Sequence, residues 1–386
     1  MPEQLGVELD NAHLEQEFKR LKRRIAELGL DQPMPGPVLM QYAVLLALTL
    51  GGAWYALFAA SGWGVFLGAL ISSFGSVGLS TSAHSASHIA VTGNRRIDRA
   101  LTYFGFSFVL GYSVSYWKHK HVENHHANPN NVELDQDIQL RPLFVVTELE
   151  RERAQGWYRR FHRIQVLVLP FVLGLNLINS QAKSYQFLVS KLAGRDRKRS
   201  DVIDALCLVS HFTGWLVLPL LFAPIETVLL VYGLRSLLNG YFGFAVFAPA
   251  HLPKEAICLT GDGKSLGHVR RQIYTSVNFR TGWIGALLCQ GVEYQIEHHL
   301  LPRICHLNYP KISVLVQELC ERNDLPYRTL GWGEGLWKSF AVFIEPKRVL
   351  TNQQAIIEMT LEAKAAAPFS TQEPLAEPSS YNVALN

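Results

Sequence analysis

Seven histidines fall into three tight groups in this chain: His84-Ser-Ala-Ser-His88, His121-Val-Glu-Asn-His125-His126 and Gln295-Ile-Glu-His298-His299. Core packing does not ask for paired imidazoles, whereas neutral imidazole is the commonest metal ligand, so metal binding is the chemistry this pattern offers. His84 and His88 stand four apart, which on a helix puts both rings on one face, able to grip a single ion. His121 and His125 share a face in the same way, while His126 points about 100 degrees away at ~3.6 residues per turn, so the second group can serve two ions. In the third group, positions 295, 298 and 299 stand at i, i+3 and i+4 and turn two imidazoles and one amide oxygen toward a common point. His119 lies on another face from His125 and is either a bystander or a support behind the ligands, as is Asn124. Glu297, off the shared face, is placed to orient a histidine through a carboxylate to ring N–H bond, or else to enter a surface salt bridge.

No cysteine lies in any group, which disfavours a cysteine-containing structural zinc site, and the histidines outnumber the four ligands that one zinc accepts. Two ions are therefore the economical inference. Imidazole suits iron, copper, zinc and nickel alike.

The elements that must position these groups are membrane helices. The chain has 386 residues, 48% of them hydrophobic and 18% charged, with a mean hydropathy of +0.09. That is too apolar for an ordinary soluble domain and too charged for a fully immersed one. From Gln32 to Asn94 there is no Lys, Arg, Asp or Glu, a stretch long enough to cross a bilayer twice at roughly 20 residues per span. Transmembrane helices are expected near residues 38–60 and 63–82, turning at Ser61-Gly62, and again near 202–222 and 226–247, turning at Ala223-Pro224-Ile225. The fold expected is all-α: a polytopic membrane protein of four transmembrane helices with a helical cap over the metal site. Its parts would be an amphipathic N-terminal segment (1–36), a main domain (37–340) and a tail (341–386) disordered at its end.

Both short turns lack basic residues, whereas the stretch between the second and third spans holds Arg95, Arg96, Arg99, Lys118, Lys120, Arg151, Arg153, Arg159, Arg160, Arg163 and the run Arg195-Asp-Arg-Lys-Arg199. The positive-inside tendency then puts that stretch, both termini and every histidine group on the cytoplasmic face. The net charge of +4 comes largely from these residues, which suit anionic headgroups rather than nucleic acid. The five cysteines form no CxxC pair, so reduced thiols are expected. No signal peptide with a small-residue cleavage site precedes the first span.

Leu14 to Leu28 spaces its apolar residues as an amphipathic helix does and is expected on the membrane surface. Ile164 to Ile178 and Ala100 to Trp117 are apolar but short for a span; the first reads as interfacial or re-entrant, the second as interfacial. The tail from Ala365, rich in Ala, Pro and Ser, reads as disordered. His211 and Arg235 sit inside expected spans, where a charge usually faces a cavity or a partner such as Glu226.

These residues resemble the integral-membrane fatty acid desaturases, a family with HxxxH, HxxxHH or HxxHH, and HxxHH or QxxHH boxes beside a four-span bundle. The resemblance runs from about residue 40 to about residue 335. Trp117-Lys-His-Lys-His121 with Asn128-Pro-Asn130, and Gln295-Ile-Glu-His-His-Leu-Leu-Pro302 leading to Ile304-Cys-His-Leu-Asn-Tyr-Pro310, are similar to the front-end, acyl-lipid branch, whose signature is Gln in the third box.

The resemblance implies a non-haem di-iron centre that reduces O₂ and removes two hydrogens from an acyl chain, an oxidoreductase of lipid metabolism. Its ligands would be His84, His88, His121, His125, His126, Gln295, His298 and His299, joined by His251, which stands just after the fourth span as a family histidine does. Ser85 replaces a frequent acidic residue of the first box, and Ala250 a frequent Asn before His251. No HPGG haem motif of a fused cytochrome b5 domain is present, so electrons would come from a separate ferredoxin or cytochrome b5. The acyl substrate would ride on a lipid, CoA or acyl carrier protein. An acyl tunnel among Trp54, Trp63, Tyr112, Trp117 and Phe279 is one reading of those aromatics, an interfacial belt the other. Hydroxylase or acetylenase outcomes at the same iron site are the alternative activity, and a membrane metal transporter is a further one that would want ligands at mid-bilayer depth.

Overall fold

The computed structural model describes residues 11–261 and 264–366. It is mostly helical. Helix α1 (Asn11–Glu27) precedes two long apolar helices, α2 (Pro35–Phe58) and α3 (Gly62–Ser87). Ser61 caps the start of α3, its hydroxyl accepting the Gly64 N–H at 3.1 Å. The second apolar pair is residues 199–221, opening with α4 (Arg199–Phe212), and α5 (Ile225–His251). Among the described residues, these four segments are the single helices long and apolar enough to cross a bilayer. Two of them outrun their expected ends: α3 continues to Ser87 and α5 to His251, so His84 and His251 sit in last helical turns rather than beyond the spans. Past Ser82 the residues of α3 turn polar, and past Phe247 α5 meets Ala248-Pro249-Ala250, yet backbone bonding carries both helices on. Beyond α5 lie α6 (Gly267–Tyr274), α7 (Gln295–Leu300) and α8 (Tyr309–Arg322). Two short parallel ladders, Cys258–Leu259 with Val349–Leu350 and Asn278–Arg280 with Thr329–Gly331, tie this region together.

Close backbone approach holds α2 against α3. A Cβ on Gly52 would lie 2.5 Å from the Ser72 nitrogen, and one on Gly68 2.7 Å from the Ala56 nitrogen, so only glycine fits either place. Arg235 joins α5 to α3: its guanidinium donates to the Ser72 and Ser76 hydroxyls, both at 2.8 Å, and its carbon lies 3.6 Å from the Trp215 ring centroid. The intramembrane cation is thus met by hydroxyls and an aromatic face, not by Glu226. His211 bonds the Tyr232 hydroxyl and the Phe108 carbonyl.

One expectation about the remaining apolar segments needs correction, and the structure adds detail to the other two. Helix α1 does not offer its apolar stripe to a membrane: Leu14, Phe18, Leu21 and Ile25 are buried in a core shared with Val269 and Ile273 of α6, Ile296 of α7 and Ile312 of α8. Amphipathic spacing says that a stripe will be covered but not by what. Residues 95–109 form a helix that loosens into a π-helix: the first part exposes most of its residues and buries Asp98 and Thr102, whereas Tyr103, Gly105, Phe106, Ser107 and Val109 are buried where the chain packs against α3 and α4. Residues 165–173 and 176–193 form two helices bent by 74°, a broken span or a re-entrant loop. The end of the tail, from residue 367, lies outside the described residues, as do residues 1–10.

Asp204, fully buried in α4, explains why the 103–117 segment turns inward. Its carboxylate accepts from the Ser107 and Ser113 hydroxyls, both at 2.6 Å, and from the Val114 and Ser115 amides at 3.1 and 2.9 Å. Asp204→Ala would strand these donors, and removing such a charged acceptor costs about 3 to 5 kcal/mol. We expect a melting temperature lowered by several degrees in detergent, with Asp204→Asn between the two; an unchanged melt would show that the carboxylate is not what holds the segment.

Candidate metal centre

The histidines reach one place from four directions. Helix α3 delivers His84 and His88 at its end, the π-helix Lys118–His125 brings the second group, α5 ends on His251, and α7 carries Gln295, His298 and His299. All are buried except His126 and His251, which are half-buried.

Their ligand atoms sort into two sets made of imidazoles alone, while a third group joins His121 and His125 to the Asp137 carboxylate behind them. Those of His84, His88, His121, His126 and His298 lie within 4.8 Å of one another, and so do those of His125, His251 and His299. The division differs from the sequence expectation in two respects. His126 joins His121, their Nε2 atoms 3.2 Å apart, while His125 turns to the other set. The cause is the backbone: the His126 N–H donates to the His121 carbonyl, an i to i+5 bond that rotates the later residue back over the earlier one. In α7, His298 and His299 do not share a point. Their rings stand at 90° and serve opposite sets, as neighbours about 100 degrees apart on a helix must, and Gln295, four residues before His299, lies on the same side, against His251.

The far ring nitrogens fix the tautomers. His125 Nδ1–H donates to Asp135 at 2.8 Å, His251 Nδ1–H to the Thr275 carbonyl at 3.0 Å, and His299 Nδ1–H to the Gln272 amide oxygen at 2.9 Å. His121 Nδ1–H likewise donates to Asp137 at 3.0 Å, and Asp137 also meets Lys120 at 2.7 Å. Burial alone would raise the Asp137 carboxyl, but Lys120 and the two histidines hold it well below the usual range. Tyr309 OH stands 3.4 Å from His298 Nδ1.

In neutral His125 and His251, both Nε2 atoms therefore carry lone pairs, yet they lie 3.2 Å apart. Neither can donate to the other, and a shared cation relieves the conflict. One proton would serve one pair; His299 Nε2 in the same set, His88 Nε2 in the other and Gln295 Oε1 are buried with no partner as well. Burial, then neighbouring imidazoles, depress His126, His298 and His299 well below the ordinary imidazole value, leaving them neutral and ready to ligate. His125 is raised instead, because Asp135 and Asp137 outweigh its burial. The residues present fit metal ions. Gln295 turns its amide nitrogen to His251 Nε2 at 2.8 Å, so a half-turn of the amide would present the oxygen in its place.

The supporting residues singled out in the sequence sit elsewhere. Glu297 is wholly buried and touches no imidazole: it accepts from Asn278 Nδ2 and Tyr327 OH, both at 2.8 Å, and Asn278 in turn accepts the Ile296 N–H. It anchors α7, and burial pushes its carboxyl up to about 7. His119 stacks on Phe187 at 5.1 Å, away from the ligands, and Asn124 gives its backbone carbonyl to Asn128. Asp135, Asp137, Gln272, Thr275 and Tyr309 do the supporting instead, at separations from the histidines that no local pattern marks. Asn130, at φ +53°, caps the turn after α5 through the carbonyls of His251, Ala256 and Ile257, and Lys347 Nζ bonds the first two of these. Of the aromatics, Trp117 stacks on His121 at 4.2 Å, whereas Trp54 and Trp63 point outward from the spans.

Residues 61–331 match the family model for fatty acid desaturases. The chain is similar to a Delta(8)-fatty-acid desaturase of Euglena gracilis, 28% identical over 83% of this chain and 76% of that protein. A Delta(5) fatty acid desaturase of Caenorhabditis elegans is 29% identical over 67% of this chain and 59% of its own length. An sn-1 linoleoyl-lipid 6-desaturase of Synechocystis is 26% identical over 80% and 88%. Four apolar helices, two converging histidine sets and a family match across the segment that holds them agree: the chain belongs to the fatty acid desaturase family, oxidoreductases of lipid metabolism.

Proposed function

We propose that the chain is a membrane-bound, O₂-dependent desaturase of the front-end branch that introduces a double bond into an acyl chain at a di-iron centre. The observation that carries this reading is the pair of facing lone pairs on His125 and His251 within a second, separate set of imidazoles. One iron would be held by His84, His88, His121, His126 and His298, the other by His125, His251 and His299 with Gln295 beside them. Bound iron supplies the O₂-derived oxidant needed to break an unactivated methylene C–H bond, which no side chain can do. The balance is one acyl –CH₂–CH₂– unit, O₂, two electrons and two protons giving –CH=CH– and two waters.

The chain's own residues do the rest. Asp135, Asp137, the Thr275 carbonyl and Gln272 keep Nδ1 protonated and aim Nε2 inward. Burial of nearly every ligand excludes water from the reacting centre. Both box-bearing helices, α3 and α5, run from short turns without basic residues toward the histidines, and the basic loop lies at the histidine end, which supports a cytoplasmic placement of the boxes and termini. An acyl chain esterified in a lipid is the substrate that the name of the Synechocystis relative supports, and ferredoxin or cytochrome b5 the electron donor that the resemblance implies.

Lipid analysis of a desaturase-poor host expressing this chain tests the proposal. We expect a new double bond, with iron near two per chain in the purified protein. A hydroxylated product would move the activity to hydroxylation, and an unchanged profile on every acyl donor would overturn the reading.

A further inference from the structure

Helix α1 spends its whole apolar stripe on the protein core, and none of its large apolar residues is exposed. Its outer surface is basic. Lys19, Lys22 and Arg23, at i, i+3 and i+4, form one exposed flank, and among the described residues no carboxylate lies within ion-pair reach of them, whereas Arg20 and Arg24 are paired with Glu17 and Glu27. A helix bound for a bilayer keeps an apolar face for the acyl boundary, so this flank suits an acidic protein rather than a lipid surface.

What lies beneath the flank points to the kind of protein. Lys22 Nζ sits 4.9 Å over the Phe18 ring, and Phe18 packs beside the exposed imidazole of His268 on α6, centroids 6.3 Å apart. One turn on, Gln272 Nε2 is 3.5 Å from His268 Nδ1, and its amide oxygen accepts the Nδ1–H of His299 at 2.9 Å. The same Gln272 nitrogen donates to the His126 carbonyl at 3.0 Å. A continuous line of contacts therefore runs from the basic flank to one histidine of each metal-binding set.

We propose that the Lys19–Lys22–Arg23 flank of α1 is the docking surface for an acidic one-electron carrier, and that His268 and Gln272 form the contact route by which its electrons enter. The inference rests on the desaturase reading, whose balance needs two electrons per turnover, delivered singly from the reduced carrier to the metal centre while the carrier is oxidised.

The test separates docking from chemistry. Oxidised plant-type ferredoxin and oxidised cytochrome b5 are each titrated against the detergent-solubilised chain and its Lys19→Glu/Lys22→Glu/Arg23→Glu variant, and metal reduction is followed with each reduced carrier and with dithionite. Reversal should weaken binding of the cognate carrier by roughly tenfold or more and remove its salt dependence. Lys19→Gln/Lys22→Gln/Arg23→Gln should fall between, and dithionite reduction should be unchanged in both. His268→Ala should slow reduction by the carrier while leaving its affinity and dithionite reduction intact. Equal carrier affinity in wild type and reversal variant overturns the proposal; if, with anionic phospholipid vesicles titrated alongside, the reversal variant loses vesicle binding alone, the flank is a lipid contact and the proposal is likewise overturned. Equal slowing with carrier and dithionite in His268→Ala overturns the route. A wild type that dithionite cannot reduce points instead to failure of the desaturase reading, and carrier affinity still reports on the docking surface.

Discussion

Desaturation by His125→Ala is expected to fall by more than roughly a thousandfold, because loss of a metal-borne oxidant leaves no side chain able to break the C–H bond. His125 belongs to the smaller set, which holds three imidazoles against five in the other. Its removal leaves His251 and His299 with Gln295, too few groups to keep an ion, whereas the five-histidine set loses nothing. Bound iron should accordingly drop from about two to about one per chain, read by metal analysis of the purified protein, with the helical fold retained. His119→Ala is the matched control: only six residues away, it stacks on Phe187 outside both sets, so iron content and activity should stay at the wild-type level. Retention of two irons and activity in His125→Ala would refute the division into two sets.

The second large effect is expected from Asp135→Asn, a change of one atom. Asp135 Oδ2 accepts from both His125 Nδ1 and the Asn130 amide, each at 2.8 Å, and Oδ1 accepts the Asp137 amide at 2.8 Å. Every contact of the carboxylate is thus with a donor, and an amide must turn its NH₂ to one side of that arrangement. Turned toward His125, it forces the imidazole to carry its proton on Nε2, the atom that should ligate. Turned away, it strands the Asp137 amide and removes the negative charge behind the ring. Losses of about 10- to 100-fold in metal affinity follow when such a partner is removed. Iron retention during dialysis against a graded chelator should show this loss, with activity partly restored by excess iron; unchanged retention would mean that the carboxylate does not set the His125 tautomer.

Much of the candidate site was legible because its signal is local. Paired imidazoles at three- and four-residue spacing announce a metal, and four long apolar runs announce the helices that carry them, whatever the rest of the chain does. The family resemblance, carried by the boxes, agrees with the match over residues 61–331. The partition of ligands was not legible, since an ideal helical period pairs His121 with His125, whereas the π-helix brings His126 over His121 and frees His125 for His251. Glu297 shows the converse limit. A carboxylate inside a histidine box reads as a ring-orienting group, yet its neighbours in space are Asn278 and Tyr327, and the orienting carboxylates are Asp135 and Asp137 in the loop beyond the second box.

Helix α1 makes the same point at a larger scale. Its spacing specified an amphipathic helix with a basic back, because side-chain direction along a helix is set by the 3.6-residue period alone. Whether Leu14, Phe18, Leu21 and Ile25 meet lipid or protein depends on where α6, α7 and α8 come to rest, which residues hundreds of positions away decide. Composition and short-range spacing therefore determined that this chain has four helices long and apolar enough to cross a membrane and gathers histidines able to hold metal. Tertiary structure alone decided which histidine joins which set, what holds each ring, and which surface is left uncovered, because those are contacts between segments distant in sequence.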